Sequence, residues 1–293
     1  MVIGFIIFVM LVVYVFSRAM GYGMYISFPL AILVALIASF SSYYYSDKIV
    51  LAMSHARPAS REEYLQLNNV VEGLCIAAGL PQPKIYVIDD TAPNAFATGR
   101  NPQNSVVAVT TGLLQKLNRT ELEGVIAHEL SHIKNYDILL QTLTVVMVGV
   151  VALLSDWFLR FLRFGSFGGR RSRYSRSSSS SRGGGSPAML VFLILGIILA
   201  LLSPFIAQLI RLAISRRREF LADASGALLT RYPPGLASAL KKISADTEPL
   251  EVANKATAHL YIVNPLKDFS GKVNNLFSTH PPTEERIVAL EKM

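Results

Sequence analysis

Two of the five histidines in this 293-residue chain, His128 and His132, bracket a glutamate in the run HELSH. Side chains four residues apart on a helix share one face, about 5–6 Å from each other. Two imidazoles so placed can hold one tetrahedral Zn²⁺. Glu129 is turned by about 100° around the same helix, so it can reach water at the metal without binding the metal. This is the arrangement of a general base for metal-assisted hydrolysis.

A catalytic zinc takes a third protein ligand and keeps one position open. The carboxylates available are Asp137, Glu219, Asp223 and Asp246. Residues 138–155 and 187–210 are uncharged, apolar runs. If they form an antiparallel hairpin, the chain returns to the side it left, and Glu219 arrives beside the two histidines. Glu219 is then the third ligand. Asp223, four residues further on, faces the same point and can hold a ligand imidazole in the correct tautomer.

The elements around these residues read as membrane and domain in alternation. Only 16% of residues are charged and 52% are apolar, with mean hydropathy +0.40; soluble chains carry about 25% charged residues. Residues 1–17 and 19–46 are two further uncharged runs. A spanning helix needs about 20 mostly apolar residues, so about four transmembrane helices are expected. The first pair reads as an uncleaved hairpin, because residues 1–17 lack a basic start and a small-residue cleavage site. Tyr43, Tyr44 and Tyr45, followed by Asp47 and Lys48, end the second run as a membrane interface would. Much of the net charge of +8 flanks the apolar runs, which suits anchoring at lipid headgroups and excludes a nucleic-acid module from the reading. The single cysteine, Cys75, excludes an internal disulfide.

The remaining segments have the pattern of a folded domain. Ser60 with Glu63 predicts a capped helix through Ala78, ended by Gly79. Residues 84–88 and 105–110 read as strands around a short segment at 95–98. Thr120 with Glu123 predicts the start of the HELSH helix, which runs unbroken through Asp137 into the third apolar run. Residues 165–186 are a low-complexity Arg/Ser/Gly loop. A helix is expected near 236–245, and another after Pro282 with Ile287 and Leu290 on its apolar face. Four segments follow: a transmembrane hairpin at 1–46, the first part of the domain at 47–137, a second hairpin at 138–214, and the rest of the domain at 215–293.

HELSHIKNYD, REFLADASGA and STHPPTEERI, in that order and with an apolar hairpin between the first two, resemble the HtpX-like branch of the M48 metallopeptidases. NAFATG at 94–99 and the N-terminal hairpin match as well. The resemblance implies a mainly α membrane protein with a zincin-like (gluzincin) α+β domain. It implies one Zn²⁺ per subunit on His128, His132 and Glu219, with Glu129 as the catalytic acid/base. It further implies a stress-response, quality-control endopeptidase of a prokaryotic plasma membrane, cutting misfolded membrane proteins from the cytoplasmic side. By the same likeness Asn94, Ala95 and Phe96 border the substrate cleft, and His280 approaches the active site. There His280 or Arg286 can stabilise the oxyanion. A metal-binding scaffold or transporter would have no use for Glu129. An intramembrane protease of the site-2 type would carry its motif inside a span, whereas HELSH precedes the third run, among Glu121, Glu123, Lys134 and Asp137. Both sides of the hairpins are basic, so charge alone leaves the orientation a tie.

Overall fold

In the computed structural model, the β-branched run at 104–110 becomes the inner strand of a small mixed sheet. The structure describes residues 2–19, 22–142, 216–253, 257–263, 265 and 281–293, with 156, 160, 194 and 196–197 besides. The chain divides into two units, residues 1–41 with 147–207, and residues 42–146 with 208–293.

The first unit holds helix α1 (Val2–Ala19) and the apolar part of α2 (Met24–Met53). Among the described residues one helix, Met24–Tyr45, is long and apolar enough to cross a membrane. Among the described residues, Val9–Arg18 of α1 is a further, shorter apolar helix. Of about four spanning helices expected, one is found among the described residues. The third and fourth apolar runs lie mostly, and the 165–186 loop wholly, outside the described residues.

The second unit carries a four-stranded sheet, β1 (Arg57–Pro58), β2 (Lys84–Ile88), β3 (Ala95–Asn101) and β4 (Asn104–Thr110), in the order β1-β2-β4-β3. β2 runs parallel to β4, and β3 folds back antiparallel on it as the edge strand. Helix α3 (Leu65–Ala78) ends, as expected, at Gly79 in the left-handed conformation, which its lack of a Cβ allows. Ser60 does accept the Glu63 N–H, but the helix proper begins only at Leu65, and the Glu63 carboxylate turns to Arg57.

After the short helix α4 (Thr111–Lys116), helix α5 (Arg119–Lys134) carries HELSH through the centre of this unit. Its cap is Asn118, not Thr120. Asn118 Oδ1 accepts the Glu121 N–H, and Glu121 accepts the Asn118 N–H in return. Glu121 also takes Ser238 Oγ and Lys242 Nζ, which ties the start of α5 to α7 (Pro233–Ala245). These donors hold the Glu121 carboxyl low against its burial. Leu122, Ile126, Leu130 and Ile133 on α5 pack with Leu67 and Val71 of α3 and Val107 and Val109 of β4 into one apolar core. Helix α6 (Arg216–Thr230) crosses α5 at Gly226, where a Cβ would stand 3.0 Å from the His128 N.

Helix α5 does not run on unbroken. Asn135 and Tyr136 form a turn, with Tyr136 at φ 59, and helix resumes at 137–142. A non-glycine residue in that conformation marks a sharp local constraint. The bend swings Asp137 back towards the helix it has just left. The last helix, α8 (Thr283–Glu291), buries Leu290 and half-buries Ile287 as expected, and with them the whole of Arg286.

Candidate metal centre

Helix periodicity sets the two imidazoles side by side, with ring centroids 4.7 Å apart. Their Nε2 atoms face each other at 3.2 Å. Glu219, in the first turn of α6, closes the triangle. Its Oε1 lies 3.5 Å from His132 Nε2 and its Oε2 lies 3.7 Å from His128 Nε2. All three side chains are buried.

Each imidazole is held from behind by its own carboxylate. Asp223 Oδ1 lies 2.8 Å from His128 Nδ1, and Asp137 Oδ2 lies 3.1 Å from His132 Nδ1. An ionised carboxylate only accepts, so Nδ1 carries the hydrogen on both rings, and whenever the rings are neutral both Nε2 atoms present lone pairs. Two lone pairs and a carboxylate aimed at one buried point repel unless something positive lies between them. A zinc with bonds of about 2.0–2.1 Å places its tetrahedral ligand atoms about 3.3 Å apart. The Nε2–Nε2 edge of 3.2 Å matches that tetrahedron, and each Nε2 has one Glu219 oxygen within 3.5–3.7 Å, close enough for a shared metal.

The supporting carboxylates are held in turn. Arg286 donates through Nε and Nη2 to the two oxygens of Asp223 at 2.8 and 2.7 Å, and through Nη1 to the Ile262 carbonyl at 2.8 Å. Burial works against the Asp223 anion, yet this fork holds its pKa down at about 2. Arg218 pairs with Asp137 on the other side. Burial likewise opposes a charged His132, but Glu219, Asp137 and Glu129 outweigh it and lift that ring to about 9. At His128 burial prevails over Asp223, and its pKa is lowered. Four carboxylates around the pair, Asp223, Asp137, Glu219 and Glu129, make the pocket favour positive charge.

Glu129 is 2% exposed and stands off this triangle. Burial pushes its carboxyl up to about 7, against the pull of His132 and an N–H from Ala97 and with the repulsion of Glu219. A carboxylate titrating near neutrality suits a proton carrier.

The remaining expectations separate. Asn94, Ala95 and Phe96 are buried at the start of β3. The Asn94 side chain grips the Val263 carbonyl at 2.9 Å, and Phe96 packs edge-on against Tyr261 at 5.1 Å. Ile262 N–H is bonded to the Ala95 carbonyl. These side chains secure residues 261–263 against the edge strand, and the backbone group that turns towards the site is the Ala97 N–H. Arg286, read as an oxyanion partner, is fully engaged with Asp223 and the Ile262 carbonyl instead. His280 lies outside the described residues. The Asp137 contact rests on the turn at Asn135–Tyr136; the likeness of HELSHIKNYD to the family implied only a packing or supporting role for Asn135 and Asp137.

Two histidines four apart on one helix, a glutamate from a second helix and an adjacent buried glutamate define a metallopeptidase centre. The model of Peptidase family M48 matches residues 61–293. Proteins named Protease HtpX homolog are similar over nearly the full length. The one from Dictyoglomus turgidum is 52% identical over 264 residues, covering 90% of this chain and 81% of that one. The one from Pyrococcus furiosus is 48% identical, covering 92% and 86%. The one from Tropheryma whipplei is 43% identical, covering 97% and 94%. The chain belongs to peptidase family M48, on its HtpX-like branch. Among solved structures, the crystal structure of S. mikatae Ste24p shares the fold, with TM-score 0.51 and 22% identity. The match covers 98% of this chain and 62% of that one.

Proposed function

We propose that this protein is a zinc metalloendopeptidase, multi-pass in the plasma membrane of a prokaryote, with its catalytic part in the cytoplasm. Its substrates are misfolded or damaged membrane proteins, and its setting is the lipid bilayer. The observation that carries the reading is the triangle of His128, His132 and Glu219 with Glu129 buried beside it. The apolar helix Met24–Tyr45 supports the membrane setting.

One Zn²⁺ on that triangle would supply a Lewis acid that polarises water and the scissile carbonyl. Glu129 takes the proton of the attacking water and returns it to the leaving amine. Asp223 and Asp137 keep both ligand imidazoles in the tautomer that presents Nε2. Arg286 and Arg218 hold those carboxylates in place behind the rings. His280 is the candidate for steadying the oxyanion. Asn94, Ala95 and Phe96 shape the edge strand beside the cleft, where an extended peptide would lie along β3.

Cleavage of casein and of a detergent-solubilised membrane protein by the purified full chain tests this reading. Cleavage should stop with a zinc chelator and return when zinc is restored. Hydrolysis indifferent to the chelator would contradict it.

A further inference from the structure

The apolar run of α2 ends at Tyr43, Tyr44 and Tyr45, which are 40, 47 and 48% exposed. Lys48 Nζ stands 5.3 Å from the Tyr45 ring centroid. Aromatic rings followed by a cation mark the headgroup level of a bilayer. One of these rings touches the strand that serves the candidate centre, for the Arg100 guanidinium lies 5.1 Å from the Tyr44 ring centroid. Arg100 belongs to β3, and three residues before it on the same strand the Ala97 N–H meets Glu129. The general base and the headgroup level are therefore joined by one short piece of strand.

That piece has a length. Three residues at about 3.3 Å each are about 10 Å. The step from guanidinium to ring adds 5.1 Å. An extended substrate lying along β3 covers the strand part of this path in about three residues, and the Arg100 side chain with its step to the ring carries the path further. The near end of the edge is closed to it, because Ile262 already holds the Ala95 carbonyl. The path that remains runs from Ala97 towards Arg100 and Tyr44, so a substrate chain on it leads to the membrane surface.

We propose that the Ala97–Arg100–Tyr44 connection is a ruler, and that this protease selects peptide bonds about three to five residues from the end of a substrate's own transmembrane segment. This rests on the endopeptidase reading above and adds to it a class of substrate: the juxtamembrane segment of a protein embedded in the same bilayer. The contact is cation–π, at an exposed site. It is strong enough to bias where the strand sits and weak enough for one substitution to release it.

The test reconstitutes the full-length enzyme in phosphatidylethanolamine/phosphatidylglycerol vesicles with a single-span substrate. A cleavable cassette is set off from the span by Gly/Ser spacers of about 0, 4, 8 and 16 residues. Casein, added to the same vesicles, reports hydrolysis that needs no ruler. The expected result is fastest cassette cleavage at the spacer of about 4 residues. The rate should fall by about eightfold at about 16, as local concentration declines with the −3/2 power of length. In Tyr44→Ala the dependence on spacer should flatten while casein cleavage is unchanged. Equal cleavage at every spacer, or fastest cleavage at the longest, overturns the ruler while leaving the endopeptidase reading intact. A Tyr44→Ala enzyme with the parental profile removes the contact from the ruler and overturns its assignment. Loss of both casein and cassette cleavage in the parental enzyme overturns the endopeptidase reading, and the ruler with it.

Discussion

Gly226→Ala should loosen the metal centre from seven residues away. Glu219, Ala222, Asp223, Gly226 and Ala227 form the buried face of α6. A Cβ on Gly226 would lie 3.0 Å from the His128 N, 3.2 Å from the Ala127 carbonyl carbon and 3.2 Å from the His128 Cα. Carbon atoms rest at about 3.5–4.0 Å from their neighbours, so α6 must retreat from α5 by about 0.3–0.5 Å. The obstructing atoms are helix backbone and cannot rotate away. Glu219 rides on the retreating helix, while His128 and His132 stay on α5, and a metal site tolerates about 0.2 Å of error in its bond lengths. Overpacking of this kind costs about 1–3 kcal/mol. If that cost falls on metal binding, zinc affinity drops by about fivefold to 150-fold. The intrinsic preference of a helix for Ala over Gly, about 1 kcal/mol, acts in the opposite direction on folding. Gly73, inside α3 with nothing within 4 Å of its Cβ position, isolates that term. Gly73→Ala should raise the melting temperature and leave zinc binding alone. The assay is thermal denaturation by circular dichroism together with zinc competition against a chromophoric chelator. A Gly226→Ala protein with raised stability and parental zinc affinity would refute the argument from close helix approach.

Glu219→Ala should leave the protein nearly zinc-free at ordinary zinc concentrations, whereas Asp223→Ala should weaken affinity or activity by about 10–100-fold. Zinc content of the purified variants reads this, and the reverse order would exchange their roles. Cys75, buried with its thiol pushed up to about 11 by desolvation, should have about one thiolate in a thousand at pH 8. Alkylation by iodoacetamide should therefore be slow in the native protein and fast in denaturant, and equal rates would place the thiol at the surface.

What the sequence made legible was mostly local. HELSH declares its helix face through spacing alone, and Glu219 with Asp223 does the same after the fourth apolar run, so the triangle could be expected from the sequence if the two runs return the chain to one side. The strands at 84–88 and 105–110 and the Gly79 stop were equally plain, since turn chemistry and β-branched runs act on near neighbours. Two overlapping capping patterns two residues apart, Asn118 with Glu121 and Thr120 with Glu123, gave a degenerate signal. Ser238 and Lys242 on α7 favour the first by binding Glu121. Arg286 was unreadable for a different reason. A guanidinium is buried only where partners match its fork, and Asp223 and the Ile262 carbonyl are 63 and 24 residues away in sequence. The turn at Asn135–Tyr136 was masked by strong helical character on both sides, and the hold of Asn94 on the Val263 carbonyl was hidden because that partner is likewise distant.

The most direct test of the account separates metal from base in one variant. Glu129→Gln keeps the shape of the side chain and leaves His128, His132 and Glu219 in place, but an amide cannot take a proton from water. Zinc stoichiometry by atomic absorption and casein cleavage would be measured on the same preparation. The account predicts one zinc per chain, as in the parent, with hydrolysis lost. Parental turnover in the zinc-loaded variant would contradict the role assigned to Glu129.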